Sequence, residues 1–339
     1  MLPNRPVTIK TIANELDLSI SAVSKALNDY PDIGEETKKT IVRKALEMGY
    51  RPNLIARSLV TNSSNTIGMI VRDSATVYGE MFKLLSQKAE SLKLNLLVGD
   101  SNRNPDLELS HVKNMVDSCV MGIIITPVTG DISGIKKLVG GRVPVVYLGG
   151  RITDNAECFV ASDNHYGSNM AMDYLFSLGH RDIAFISDRN RSNSTQLKLN
   201  SYICRMKDRN LEPAVFIDDD INPNLVDVGC RQARAMLDSE RSFTAVFASK
   251  DMVALGVMKE LESNGLRIPE DFSVIGYDGS EVSSMPMIEL TTVAQPKEDL
   301  CDNLIRILLS QADAGGGAIP EHYLATPELI IRNSCGKVH

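Results

Sequence analysis

Five side chains on one short predicted helix, residues 20–28, have the size and chemistry to approach the edges of DNA bases. They are Ile20, Ser21, Ser24, Lys25 and Asn28, which the helical pattern leaves on the outside. Hydroxyl and amide groups donate and accept hydrogen bonds, as base edges do, and an ammonium adds a positively charged donor. The set predicts a helix that reads DNA, if neighbouring elements hold it on a folded unit.

Three predicted helices could build that unit. The first begins after Thr8, whose side chain can cap it, and runs to about Leu16. Ser19 can cap the second, and the third covers about Glu35–Met48 and ends at Gly49. The apolar side chains predicted to face a shared core are Ile9, Ile12, Ala13, Leu16, Val23, Ala26, Leu27, Ile41, Val42, Ala45 and Leu46. This is a helix-turn-helix arrangement, although other small helical bundles give the same pattern.

The composition is that of a globular chain with unevenly distributed charge. Its 339 residues suggest two or three domains, and a hydrophobic content of 43% is enough for ordinary cores. The net charge is −7, yet nine basic and seven acidic residues precede residue 62. A slightly basic head on an acidic body indicates that the head alone meets a polyanion.

Localisation follows from what the sequence lacks. No run approaches the roughly 18 apolar residues that a membrane-spanning helix needs, and MLPNRPVTIK has no apolar core of the signal-peptide type. The six cysteines are scattered without a CxxC pair. We therefore expect a cytoplasmic protein with reduced thiols and no membrane partner.

A predicted hinge follows the head in GYRPNLIARSLVTNSSN, residues 49–65. Asn53 can cap one or two helical turns that carry Ala56 and Leu59 on one side. So short a helix is not stable alone in water, and the polar TNSSN that follows is typical of a linker. Apolar side chains on this helix have no core of their own to enter.

VTIKTIANELDLSISAVSKALN and GYRPNLIARSL together resemble the head and hinge of the lactose-repressor (LacI/GalR) family of transcriptional regulators, and the resemblance continues to ELIIRNS at 328–334. It implies a DNA-binding head at 1–52, a hinge helix and linker at 53–65, and an effector-binding and dimerisation core at 66–339. It also implies that Ile20, Ser21 and Lys25 read bases and that Leu59 wedges between base pairs. The full set expected at DNA is Thr8, Ile20, Ser21, Ser24, Lys25, Asn28, Tyr50, Asn53, Ala56 and Leu59.

The body alternates strand and helix twice, which predicts two doubly wound α/β lobes that resemble periplasmic binding proteins. The predicted buried parallel strands are TIGMIV, LNLLVG, MGIIIT and PVVYL, then DIAFIS, AVFI, TAVFAS and FSVIG. The family resemblance implies that the chain crosses between lobes near residues 163, 293 and 323. Lobe one would be 66–162 with 295–321, and lobe two 163–293 with 323–334.

Enzyme and metal motifs are missing from the sequence. It contains no GxGxxG, Walker loop, GxSxG or HExxH, so we expect no cofactor, no metal and no catalytic residue. The acidic run Asp218–Asp220 is better explained as a solvated loop than as a metal site. His180 lies where a helix gives way to a strand, which favours a structural role.

Three segments resemble the family's effector-binding motifs. GYDGSE (276–281) supplies Asp278, a carboxylate expected to accept effector hydroxyls, while Lys198 and Lys250 replace an arginine and an asparagine usual in the family. Arg72, Tyr78 and Gly149 match positions on the side of lobe one. Because Asp278 can balance only one of the two ammonium groups, we expect an effector with a negative group, a sugar acid or sugar phosphate rather than a neutral sugar.

The resulting hypothesis is a homodimeric, ligand-responsive repressor of carbohydrate-utilisation genes that binds a near-palindromic double-stranded DNA operator. Within the family, the alternative is a catabolite-control regulator that responds to a phosphorylated carrier protein. Outside it, a sugar-binding protein or a sugar-modifying enzyme using Asp278 as a base receives little support, because the chain has a DNA-binding head and no visible partner base.

Overall fold

The computed structural model describes residues 7–27, 29–50, 64–74, 77–149, 157–188, 193–219, 224–314 and 319–338. The chain divides into two compact units, Met1–Ser64 and Asn65–His339. Within the described residues, no helix is both long and apolar enough to cross a membrane.

Within its described residues, the N-terminal unit contains three helices, α1 (Ile9–Leu16), α2 (Ile20–Leu27) and α3 (Glu35–Glu47). Thr8 caps α1 in a reciprocal arrangement: its hydroxyl accepts from the backbone N–H of Thr11, whose own hydroxyl accepts from the N–H of Thr8. Both side chains thereby satisfy backbone donors that a helix start leaves unpaired.

Six side chains form the buried centre of this unit, namely Ile12, Ala13, Val23, Ala26, Ile41 and Ala45. All six were predicted to face inward. Val42 and Leu46 were also predicted there, and this was wrong: they are 42% and 74% exposed. Each follows a buried residue of α3 and is turned about 100° further around the helix. The apolar stripe of α3 that is buried is therefore narrower than its sequence indicates.

The larger unit contains two six-stranded sheets. The first consists of β1 (Thr66–Val71), β2 (Asn95–Asp100), β3 (Gly122–Ile125), β4 (Val145–Leu148), β5 (Cys158–Ser162) and β11 (His322–Ala325). Its order is β11-β5-β4-β3-β1-β2, and every pairing is parallel. This is the doubly wound arrangement that the alternating pattern predicted.

The second sheet consists of β6 (Ile183–Ser187), β7 (Ala214–Ile217), β8 (Ala245–Ala248), β9 (Ser273–Asp278), β10 (Thr291–Ala294) and β12 (Glu328–Ile330). Its order is β12-β10-β9-β8-β6-β7, with only the β10–β12 pair antiparallel. We call the two sheets with their flanking helices lobe one and lobe two.

Eight helices flank the sheets. They are α4 (Val77–Ser91), α5 (Pro105–Asp117), α6 (Ser133–Val139), α7 (Asn164–Ser177), α8 (Asn193–Lys207), α9 (Leu225–Leu237), α10 (Asp251–Ser263) and α11 (Lys297–Asp313). Apolar clusters lie on both faces of each sheet. The strands between those clusters are consequently apolar along their whole length, as expected for parallel sheets covered on both faces.

Three expectations about strands need correction. The predicted strands LNLLVG and AVFI are not buried. Both lie at sheet edges, where Leu97, Val98 and Val215 are exposed. Four strands, β5, β10, β11 and β12, were not singled out by the pattern. Tyr323 lies in β11, which pairs with β5, so it belongs to lobe one rather than to lobe two. The chain returns to lobe two between Ala325 and Glu328.

Candidate functional site

The carboxyl ends of the parallel strands bring distant polar side chains to one place. Arg72 follows β1, Lys250 follows β8, and Asp278 ends β9. Together with Tyr78 on α4 and Lys198 on α8, they line a single cavity. The other lining residues are Asp73, Val77, Arg103, Ser194, Thr195 and Gln295. We call this cavity the polar cleft; it lies where ligands bind in doubly wound folds.

Gly149, the sixth residue predicted at the effector site, lies at the rim of this group. It follows β4 with a φ of +79°, and a Cβ added there would lie 3.2 Å from the Tyr78 hydroxyl. A side chain at this position would therefore be strained and would crowd Tyr78.

Lys198 is buried in the cleft among groups that stabilise a positive charge. Its Nζ lies 3.8 Å from Asp278 Oδ1, donates a 2.9 Å hydrogen bond to the Ser249 carbonyl, and lies 3.5 Å from the centre of the Tyr277 ring. Burial lowers the pKa of Lys198 to about 8, against the opposing effect of Asp278. Lys198 thus carries most of a positive charge near neutral pH and loses it in mildly alkaline solution.

Lys250 has a carboxylate partner that sequence reasoning missed. Its Nζ lies 2.6 Å from Asp188 Oδ2, at the end of β6. Burial alone would raise the pKa of Asp188, but Lys250, Arg103 and Arg72 together hold it below its usual value. The expectation that only one of the two lysines is balanced by a carboxylate was therefore wrong, because Lys198 pairs with Asp278 and Lys250 with Asp188.

Arg103 is the second residue that the sequence did not single out. Its Nε and Nη2 donate to Asp73 Oδ2 at 3.2 and 2.7 Å, and its Nη1 donates to Asp188 at 3.3 Å. Their location in the sequence could have indicated a site residue, because Arg103 and Asp188 each follow the carboxyl end of a predicted strand. What the pattern could not supply was the pairing between them.

Asp278 and Asp251 form a buried pair of carboxyl groups. Asp278 accepts a 2.7 Å hydrogen bond from Gln295, and burial raises its pKa against the lowering effect of Lys198. Asp251 accepts from the Thr292 hydroxyl at 2.5 Å and from the Ser280 N–H and hydroxyl at 2.7 Å. Burial and the neighbouring Asp278 raise the pKa of Asp251 to about 7. Asp251 thereby holds the chain just beyond Asp278 in place.

The polar cleft has almost no free space in this structure, about 20 Å³. That is room for roughly one water molecule. An adjoining cavity of about 280 Å³ shares Val77, Lys250 and Asp278 with it. The rest of its wall consists of Glu80, Leu225, Asp251, Met252, Ser280, Glu281, Val282 and Met285. The charged groups are thus packed against one another beside a roomier and more apolar space.

Positive charge slightly exceeds negative charge in the polar cleft. Four cations, Arg72, Arg103, Lys198 and Lys250, are near three carboxylates, Asp73, Asp188 and Asp278. Arg72 lies 6.0 Å from the Tyr78 ring centre, and no carboxylate of the described chain forms an ion pair with it. The excess charge is therefore assigned to Arg72 rather than to a lysine.

Two groups of contacts join the lobes across this region. Arg103 of lobe one bonds to Asp188 of lobe two. Lys297, at the start of α11, pairs with Glu80 and donates to the Gly279 carbonyl at 2.6 Å. The same Glu80 accepts from the backbone N–H of Glu281 at 2.9 Å. These contacts hold the lobes together around the polar cleft.

In the N-terminal unit, the outward face of α2 presents Ile20, 51% exposed, and the exposed Ser21. Ser24 and Lys25 are half-buried, and Lys25 forms an ion pair with Asp32. The Thr8 hydroxyl is used in the helix cap, and Tyr50 is half-buried against the core of the unit. Asn28, Asn53, Ala56 and Leu59 lie outside the described residues, so their expected roles stay predictions.

Two further expectations concern residues away from the cleft. Asp218 was expected in a solvated loop, but it is buried and accepts hydrogen bonds from Arg231 and Gln232. No group of side chains in the described part of the chain could hold a metal ion. His180 contacts Thr244, Ser273 and the Gly336 carbonyl, and burial lowers its pKa. Its contacts are those of a buried structural residue.

Comparison with known proteins extends these observations. A family model described as a periplasmic binding protein-like domain matches residues 172–335. Catabolite control protein A of Priestia megaterium is 29% identical over 89% of this chain and 91% of its own. The HTH-type transcriptional repressor PurR of Vibrio campbellii is 29% identical over 98% of this chain and 99% of its own. A crystal structure of the lac repressor dimer, bound to operator and the anti-inducer ONPF, has a TM-score of 0.86 at 24% identity, covering 97% and 99% of the two chains.

Proposed function

We propose that this chain is a member of the lactose-repressor (LacI/GalR) family of transcriptional regulators and acts as a dimeric repressor whose DNA affinity is set by an acidic small molecule in the polar cleft. The observation that carries the proposal is the convergence of Arg72, Tyr78, Lys198, Lys250 and Asp278 on one cavity. They come from both lobes, so a ligand among them would contact both.

The DNA part of the proposal assigns base contacts to the outward face of α2. Ile20 and Ser21 are exposed there, and Lys25 can reach a base edge once its ion pair with Asp32 opens. A lysine makes a point-charge contact, unlike the two-pronged contact of arginine with guanine. Because a lac repressor dimer is known bound to its operator, we assign two heads of one dimer to the halves of a near-palindromic site.

The ligand part of the proposal assigns the acid group to Arg72. This guanidinium has five N–H donors and no carboxylate partner among the described residues, whereas each lysine is already paired. Asp278, at the strand end, would accept hydroxyls of the same ligand. A LacI-family regulator from Enterococcus faecium has been solved with ribose bound, which supports a sugar framework, and the excess positive charge here favours a sugar acid or sugar phosphate.

Coupling between the two units would follow from differential affinity. A ligand that favours one arrangement of the lobes changes the affinity for operator by some factor, and operator changes the affinity for ligand by the same factor. The proposal places this regulator in the cytoplasm with the operator DNA and assigns it no enzymatic activity. Carbohydrate-utilisation genes are the proposed targets.

Calorimetry with matched ligands tests the site. Glucose, gluconate and glucose 6-phosphate share much of their polar framework and differ in charge. We expect measurable binding of an acidic member and none of glucose, with binding lost in Arg72→Met and kept in Lys137→Met, which removes an exposed cation of lobe one. Equal binding of neutral and acidic sugars that survives in Arg72→Met would refute the proposed ligand class.

A second candidate is control by a phosphorylated carrier protein, as in catabolite control. The similarity to catabolite control protein A and the nearly filled polar cleft both favour it. If no sugar acid or sugar phosphate alters operator affinity while a phosphorylated carrier protein does, the cleft is not the controlling site.

A further inference from the structure

The ion pairs of Asp188 suggest a role for a residue that the family motifs do not include. Asp188 lies at the end of β6 and its side chain is 6% exposed. One of its oxygens, Oδ2, contacts both Lys250 at 2.6 Å and Arg103 at 3.3 Å. The other, Oδ1, is buried without a hydrogen-bond partner in the described part of the structure. A single carboxylate therefore bridges a cation of its own lobe and a cation of the opposite lobe.

These contacts use the donors that an acidic ligand would need. Two nitrogens of Arg103 are bound to Asp73 and the third is bound to Asp188. The Lys250 side chain is 11% exposed and forms its ion pair with the same carboxylate. The polar cleft, which Lys250 and Arg103 line, has about 20 Å³ of free space. An anion that binds Lys250 from within the polar cleft therefore competes with Asp188 for it.

We propose that Asp188 is a built-in competitor that determines which anions the cleft binds, by occupying Lys250 and Arg103 until a ligand's acid group displaces it. The proposal rests on the proposed role of the polar cleft as the site of an acidic effector. Weak anions such as free inorganic phosphate are then excluded, because their contacts with two cations only replace contacts already made. A ligand that also contacts Arg72 and Asp278 gains additional binding free energy, which allows it to displace the carboxylate.

Displacement would also open the bridge between the lobes. When Asp188 leaves Arg103, one of the two groups of contacts across the cleft is lost, while the group formed by Lys297, Glu80 and Glu281 remains. Ligand binding therefore changes how the lobes are held, which is the differential interaction that control of a distant site requires.

Asp188→Asn removes the competing charge and retains a side chain of nearly the same shape. Lys250 and Arg103 then lack a full counter-charge in a buried site, so the variant should bind inorganic phosphate at least about ten-fold more tightly than the unchanged protein, by calorimetry at pH 7 and constant ionic strength. The double variant Asp188→Asn, Lys250→Met should not show this increased affinity for phosphate. Glu260→Gln neutralises a similarly buried carboxylate outside the cleft, whose partner Arg234 is exposed, and should not increase the affinity for phosphate.

Unchanged phosphate affinity in a folded Asp188→Asn variant would overturn the proposal, as would an equal gain in Glu260→Gln. If Asp188→Asn is unfolded in chloride, phosphate should restore a cooperative melting transition. An Asp188→Asn variant that stays unfolded in phosphate would also contradict the proposal. The proposed function is tested separately, with acidic sugars and the unchanged protein, so failure of that binding and failure of the Asp188 variant can be told apart.

Discussion

The ammonium nitrogen of Lys198 lies 3.8 Å from the nearest carboxylate oxygen of Asp278. Both groups are buried at the meeting point of the lobes, so neither charge is screened well by water. Their pairing links the protonation of the cleft to any ligand that binds there, and the first prediction follows from it.

Binding of an acidic effector should weaken as the pH rises through about 8. The pKa of Lys198 is lowered to about 8, mainly by burial, so its charged form predominates below that pH and its neutral form above it. An anion binds the charged form better, and affinity should therefore be constant below neutrality and fall above pH 8. Calorimetry between about pH 6.5 and 9.5 measures this.

Lys198→Met should bind the same ligand more weakly and with a smaller decrease in affinity across pH 8. Lys259→Met removes an exposed lysine of α10 and should behave like the unchanged protein. A wild-type affinity that is flat across pH 8 would show that Lys198 does not face the ligand's charge.

Asp32→Asn should strengthen operator binding. Lys25 forms an ion pair with Asp32, which holds its ammonium away from DNA and adds a negative charge near the phosphates. Removing the carboxylate frees the lysine, whereas Lys25→Ala should weaken the cognate operator by roughly ten-fold or more and spare nonspecific DNA. Fluorescence anisotropy at several salt concentrations measures both. Lys39→Ala, on α3, is the control of equal charge change.

If Lys25→Ala weakens cognate and unrelated DNA equally, Lys25 contacts only phosphate. If Asp32→Asn leaves operator affinity unchanged, the ion pair does not compete with DNA.

Ile41→Ala should abolish operator binding and leave effector binding intact. Ile41 is fully buried in a core of only six buried side chains. Emptying such a site costs about 2–5 kcal/mol, which is comparable with the whole stability of so small a unit. Anisotropy with operator and calorimetry with effector report on the two units. Val42→Ala, at the neighbouring exposed position, should retain DNA binding, and loss of binding in that variant would contradict the assigned core.

Gly256→Ala should destabilise the larger unit. Helices α9 and α10 cross so closely here that a Cβ on Gly256 would lie 1.9 Å from the Val226 carbonyl oxygen. Forcing the helices apart typically costs about 1–3 kcal/mol or more. Thermal denaturation should show a clear decrease in Tm for Gly256→Ala. Gly130→Ala, where no atom lies within 4 Å of the added Cβ, should change it little, and equal effects of the two would contradict this packing.

Local pattern was enough to predict the helices of the head and most of the strands. Ile12, Val23 and Ile41 each belong to a helically spaced set of apolar residues on a short segment with a clear start signal. In such a segment, the helix geometry alone determines which side chains share a face. The same reasoning placed Val42 in the core and was wrong, because the width of a buried stripe depends on how large the facing surface is. That surface belongs to other helices.

The sequence by itself determined most of the helices and strands, the family resemblance, and the types of charged residue in the cleft, including the lysines at 198 and 250. Only the tertiary structure decided which charges meet. Arg103 and Asp188 are separated by 85 positions and Lys250 and Asp188 by 62, yet each pair is in contact. The physical reason is that parallel strands deliver their carboxyl ends to one edge irrespective of separation along the chain, and a buried charge then selects its partner by distance in space.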